Sequence, residues 1–247
     1  MRKKQSLQAG TAAALALTLV ACGGGGGGSS ANGSTSTGGG SQDYNLQAGI
    51  ANMVAHGLTI NVTFSGTVQV NGTSTAVTGS GIYTLAAGSS TTFNGAAATS
   101  QAQTLTGNLM ADGQSIPVSE SITDYNAASN SAFLGEVESG EYDVAQAPFD
   151  YPTSIEGGSS GTLGTVLRYT DSTMSVPQGT AQTTYAITAA TIQGGPLGIA
   201  ITTRIYNTQN ALVETDTTNY TMSSSNVISF VSAVSQTQQG TLTATAQ

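Results

Sequence analysis

Six carboxylates fall between positions 136 and 156: Glu136, Glu138, Glu141, Asp143, Asp150 and Glu156. The i, i+2 spacing within Glu136/Glu138 and within Glu141/Asp143 places each pair on one face of a strand. Such pairs are candidate ligands for Ca²⁺, a hard cation that takes about six to eight oxygens, or the acid and base of a glycoside hydrolase. The chain carries no D-x-D-x-D-G loop and no tryptophan to serve as a sugar platform. The competing expectation is a solvated acidic edge that blocks strand addition by neighbours. His56 is the one histidine, so any Ser-His-Asp machinery must use it. Gly157-Gly158-Ser159-Ser160-Gly161 matches G-x-S-x-G, but a nucleophile elbow needs a strand before the serine and a helix after it. Here a glycine-serine loop runs into another strand pattern, and we expect no catalytic residues.

A second constellation concerns export. Met1-Arg2-Lys3-Lys4 is a basic start, an apolar run follows over 11–21, and Leu19-Val20-Ala21 precede the only cysteine, Cys22. The run is shorter than the roughly 20 apolar residues of a spanning helix and has the layout of a signal peptide. These four final positions resemble the lipobox of bacterial lipoproteins. The resemblance implies cleavage of 1–21, lipidation of the Cys22 thiol and attachment to a membrane through it. With Gly23 rather than aspartate next, it also implies transfer to the outer membrane, facing either the periplasm or the cell surface. Several acyl chains on one residue anchor far more durably than one, since each buried methylene contributes about 0.8 kcal/mol.

Residues 22–42 hold the lipidation cysteine, six consecutive glycines and then Ser, Thr, Asn, Ala and further Gly. Nothing there is large enough to pack, so this is a tether of about 25 Å mean reach. The remainder, 43–247, is one domain by length.

After removal of 1–21, Arg168 and Arg204 stand against 13 acidic residues, a net charge of −11, with no lysine. Binding to polyphosphate depends on Lys and Arg, so we expect no nucleic-acid partner. With Cys22 lipidated no disulfide is available, and stability must come from a core.

That core is to be built by strands. Over Leu58–Val70, Leu58, Ile60, Val62, Phe64, Val68 and Val70 alternate with Thr59, Asn61, Thr63, Ser65, Thr67 and Gln69, the period of a half-buried strand. Gly66 sits in the apolar row where a bend is cheap, and Asn71-Gly72 signals a hairpin. The next strand, 76–85, should face Val77, Tyr83 and Leu85 inward. Further strands are expected over 103–110, 115–123, 140–147, 163–170, 182–190, 197–207, 213–222, 227–234 and 241–246. The fold class is therefore all-β, an antiparallel sandwich, open barrel or curved sheet of ten to twelve strands. One short helix precedes it, capped by Asp43 and stopped by Gly57, with Leu46, Ile50, Met53 and Val54 on its buried face.

Pro148, Phe149, Tyr151 and Pro152 surround Asp150 in a loop, and we expect these aromatics to fold back over the end of the core. A porin-like barrel would need aromatic girdles, which the scattered tyrosines and phenylalanines do not make. The leading expectation is a noncatalytic envelope domain with a structural, adhesive or binding role and a protein or other envelope partner. The alternatives are a lipid or small-ligand carrier, whose sheet would wrap an apolar cavity, and a carboxylate-dependent hydrolase. No cofactor is expected apart from the Ca²⁺ alternative.

Overall fold

The computed structural model describes residues 44–247 except 71, 150 and 193. Cys22, the tether, Asp43 and Asp150 lie outside the described residues. Helix α1 (Leu46–His56) is followed by β1 (Leu58–Val70), β2 (Thr73–Leu85), β3 (Ser89–Phe93), β4 (Ala96–Ala111), β5 (Gln114–Ala127), β6 (Phe133–Glu138) and β7 (Glu141–Ala145). The chain continues through β8 (Ser160–Tyr169), β9 (Pro177–Thr188), β10 (Leu197–Asn207), β11 (Leu212–Met222), β12 (Ile228–Thr237) and β13 (Gly240–Ala246).

The sheet closes on itself. Successive strands from β4 to β13 pair antiparallel, β13 pairs with β1, β1 with β2, and β2 returns to β4, giving a 12-strand barrel. β3 is the extra strand. It pairs with the first part of β4, Ser89↔Ser100 to Phe93↔Ala96, in line with the β2 pairing of Val77↔Ala111 to Leu85↔Gln103. A closed sheet removes the edges that invite aggregation, and closure here uses local glycine bends. Gly81 and Gly107 face each other across β2 and β4. A Cβ on Gly81 would lie 2.5 Å from the Thr106 carbonyl oxygen and 2.9 Å from the Phe64 ring, and one on Gly107 would lie 2.4 Å from the Ser80 oxygen.

The strict alternation of β1 sorts its side chains as the sequence leads one to expect. Val62 and Phe64 are buried, Leu58, Ile60 and Val68 pack against the core, and Thr59, Asn61, Thr63, Ser65, Thr67 and Gln69 are exposed. Val77, Tyr83 and Leu85 of β2 are buried as well. Outward positions elsewhere carry mainly Thr, Ser, Asn, Gln and small residues, rather than the apolar band of a membrane barrel.

One end of the barrel is capped. Asn45, not Asp43, is the helix N-cap: its side chain accepts the Ala48 N–H at 2.8 Å. Gly57, at φ 66°, ends α1 with its N–H on the Met53 oxygen. Leu46, Ile50, Met53 and Val54 face into the barrel mouth and are buried. Bare Gly49 lets α1 approach β11 and β12, since a Cβ there would meet Ile228 and Met222 at 2.9 to 3.0 Å. The 146–159 loop completes the cap. Phe149, Tyr151 and Ile155 are buried, and the Ile155 N–H donates to the Tyr44 oxygen at 2.9 Å. The opposite end is made of short turns, such as Asp112-Gly113 with φ of 49° and 72°, the positive pair of a tight hairpin.

Because the glycine pair has no room for side chains, Gly81→Val and Gly107→Val should each lower stability by about 1–3 kcal/mol. Urea denaturation midpoints check this; unchanged midpoints would show that closure does not depend on those bends.

Candidate functional site

The acidic residues converge inside the barrel, on the side where the strands are shortest. Asp124, Glu136, Asp143 and Arg168 are successive cross-strand partners on β5, β6, β7 and β8. Their side chains face inward: Asp124 is 0%, Glu136 8% and Asp143 2% exposed. Directly opposed residues stand about 4.5–5.5 Å apart at Cβ, so three carboxyl groups lie side by side with one guanidinium at the end of the row. Gly135 makes this approach feasible. At φ 156°, it has no space for a Cβ, which would lie 2.1 Å from the Asp143 carbonyl oxygen and 2.7 Å from the Phe93 ring.

Of the six carboxylates singled out in the sequence, Glu136, Glu138, Glu141 and Asp143 are brought together here. Both i, i+2 pairs do share a face, but that face is the interior, so the expectation of a solvated acidic edge is corrected. Glu156 is instead exposed on the capping loop. Four members of the cluster were not singled out: Asp124, Arg168, Glu214 and Asp216. Each sits on the inward parity of its strand, Asp124 between buried Ile122 and Asn126, Asp216 below buried Thr218 and Tyr220. The available signal was faint: a charged residue sharing its strand parity with residues such as Ile122 or Tyr220.

Arg168 is the only basic side chain in this group. Its Nη2 contacts Glu141 and its Nε lies 3.4 Å from Asp143 Oδ2. Burial draws its pKa down while Glu136, Glu214, Asp216 and Glu138 hold it up, and a guanidinium stays charged throughout. One cation cannot neutralise this many carboxylates, so the remainder must hold protons. Burial, opposed by Arg168 and reinforced by Glu138, raises Glu136 to about 7. Burial with Glu136 and Glu138 alongside raises Asp143 to about 9. Asp124 is raised well above the carboxylate range by burial and by Glu136, against the pull of its Gln103 hydrogen bond.

Polar groups extend the row around the wall. The Tyr83 hydroxyl donates to Gln103 Oε1 at 2.8 Å, and Gln103 Nε2 donates to Asp124. Burial keeps the Tyr83 phenol protonated by raising its pKa. Across the interior, the Thr183 and Thr203 hydroxyls lie 3.2 Å apart and Ser235 donates to Glu214 at 2.8 Å. Burial raises Glu214 too, against Ser235, Arg168 and Asp216. Asp124 Oδ1, Glu136 Oε2 and Asp143 Oδ1 have no hydrogen-bond partner within the protein.

A cavity of about 10 Å³ lies against Glu136, Asp143, Arg168, Thr183 and Thr203. That is room for about one water. Among the described residues no group of three or more His, Cys, Asp or Glu side chains is placed to hold a metal ion. The G-x-S-x-G segment forms no elbow: Ser159 donates to the Glu156 carbonyl at 2.7 Å and Ser160 opens β8 rather than a helix. His56 Nδ1 is occupied by the Asn52 carbonyl at 2.9 Å.

Outside the wall at the same place, Phe93 of β3 stacks on Tyr125 and Tyr142, with ring centroids 4.4 and 5.4 Å apart. The Tyr142 hydroxyl donates to Asn94 Oδ1 at 2.7 Å. The β6–β7 hairpin is thus held between inner carboxyls and an outer aromatic clasp.

Two outcomes follow from the carboxyl row. A carboxyl whose folded pKa is raised binds its proton more tightly in the native state, so stability falls as pH rises from about 4 through the raised values. For Glu136 and Asp143 that window runs to about 7 and about 9. Thermal unfolding should therefore shift down between pH 5 and pH 9, and Glu136→Gln should flatten the lower part of that slope. Removal of the guanidinium in Arg168→Met should destabilise by about 3–5 kcal/mol near neutral pH and by less at pH 5, where more carboxyls are protonated. Equal losses at both pH values would contradict a shared-proton row.

Comparison with known proteins gives no match: no family model, no curated protein and no solved structure aligns significantly with this chain.

Proposed function

We propose that this is a lipid-anchored protein of the bacterial envelope, attached to the outer membrane through Cys22, whose barrel has a noncatalytic structural, adhesive or binding role. The observation that carries this reading is the division of charge and space in the barrel. The acidic cluster, Arg168 and most large apolar residues point inward, where the cavity beside them has a volume of only about 10 Å³. Contact with a partner is left to the outer wall. That wall carries few charges, Arg204 among them, and is rich in hydroxyl groups. Thr202 and Thr217 hydroxyls lie 3.1 Å apart on neighbouring strands, and Asn219 Nδ2 donates to Ser232 at 3.1 Å. Such a surface suits hydrogen-bonded contact with a protein or other envelope component.

The interior weighs against the alternatives. A carrier needs about 300–1,000 Å³ for its ligand, which would require α1 and the 146–159 loop to leave the barrel mouth. A hydrolase working through Glu136 and Asp143 would need its substrate to reach carboxyls sealed inside a closed wall.

The full chain expressed in a Gram-negative host should partition with membranes and enter the detergent phase, whereas Cys22→Ala should remain in the aqueous envelope fraction. Identical partitioning would contradict the anchor. Turnover of a substrate that is lost in Glu136→Gln, with folding retained, would contradict the noncatalytic role.

A further inference from the structure

The β6–β7 hairpin is the least secured part of the wall. β6 pairs with β5, β6 with β7, and β7 with β8 over only four positions each, whereas β1–β2 pairs over thirteen and β4–β5 over fourteen. The row of buried carboxyls crosses the β5–β6 and β6–β7 seams, and Arg168 faces its end across the third, β7–β8. Around Glu136 stand Asp124 on β5, Glu138 on β6 itself, Asp143 on β7 and Arg168 on β8, while Glu141 of β7 and Glu214 and Asp216 of β11 gather around Arg168, and Glu120 shares the face of β5 with Asp124. β9 and β10 present only neutral side chains to the cavity beside it, Ala181, Thr183, Thr203 and Ile205, and β4 presents Gln103 to Asp124.

We propose that the β6–β7 hairpin is a pH-operated gate in the barrel wall, closed while its inner carboxyls share protons and released as they ionise against one another. Each lost proton leaves a buried negative charge directly across a strand seam from another, a repulsion that Arg168 can meet at one end only. The β5–β6 and β6–β7 seams then part before the longer ones do, exposing the interior around Phe133 and Val166. The clasp of Phe93, Tyr125 and Tyr142 opposes release from outside, with Gly135 lying beneath the Phe93 ring. The direction agrees with the raised pKa values of Glu136 and Asp143, which put release on the alkaline side of neutral. The gate concerns the barrel wall and is independent of the anchor at Cys22.

Peptide-resolved hydrogen–deuterium exchange of the exported, full-length protein at pH 5.5, 7 and 9 tests this, after correction for the intrinsic pH dependence of exchange. Peptides covering 133–145 should lose protection by about tenfold or more, while those of β1, β2, β10 and β11 keep theirs. Glu136→Gln should suppress the effect, and Glu156→Gln, on the exposed loop, should leave it as in the parent protein. Should Glu136→Gln fail to fold, Tyr142→Phe provides the second arm: it removes the bond to Asn94 and should move release to lower pH. Protection that stays constant in 133–145, or that falls equally in every strand, would overturn the gate.

Discussion

Everything distinctive in this barrel depends on placing more carboxyl groups inside a closed wall than one guanidinium can neutralise. Asp124, Glu136 and Asp143 are set side by side by strand register, not by flexible loops, so while the wall is closed they cannot relax their mutual repulsion by moving apart. Retaining protons is the remaining route, and the protein interior enforces it through desolvation. Gln103 donates to Asp124 at one end and Ser235 to Glu214 at the other, and both bonds oppose the rise in pKa without cancelling the effect of burial. The cost of this interior is a structure coupled to pH.

The same placement decides what the outside looks like. A segment such as 43–247, with 13 acidic residues against two arginines and no lysine, would be expected to present a negative surface. Instead, Glu136, Glu138, Glu141, Asp143, Glu214 and Asp216 cluster within the barrel, and the strands show threonine, serine and amide side chains to solvent. The scarcity of Lys and Arg, rather than repulsion by an acidic wall, is therefore what argues against a nucleic-acid partner. It also explains how a barrel with few charged outward positions keeps a polar exterior.

Long, regular segments were legible in the sequence. The alternation over Leu58–Val70 and the buried face of α1 follow from side-chain period alone, and Phe149 and Tyr151 do fold back into the core. Short or irregular segments were not. β3 has five residues with one buried position, and β6 breaks alternation because Gly135 and Glu136 are both buried beside a register shift. Closure through β2 and β4 leaves no mark in a single strand, because it is a relation between Gly81 and Gly107, which lie far apart in the chain. The acidic residues were visible, yet their face was not: threonine fills so many positions that the inward row carries little apolar contrast, and Asp124 or Asp216 reads as an ordinary surface charge. Likewise Asp43 and Asn45 both have capping side chains, and geometry alone selects Asn45.

The folded barrel, on these grounds, holds protons which the unfolded chain releases. Calorimetric unfolding at pH 7 in buffers of different ionisation enthalpy measures this directly. Unfolding should release about one proton or more per molecule, and the release should shrink in Glu136→Gln. Net proton uptake on unfolding, or no exchange with the buffer, would contradict it.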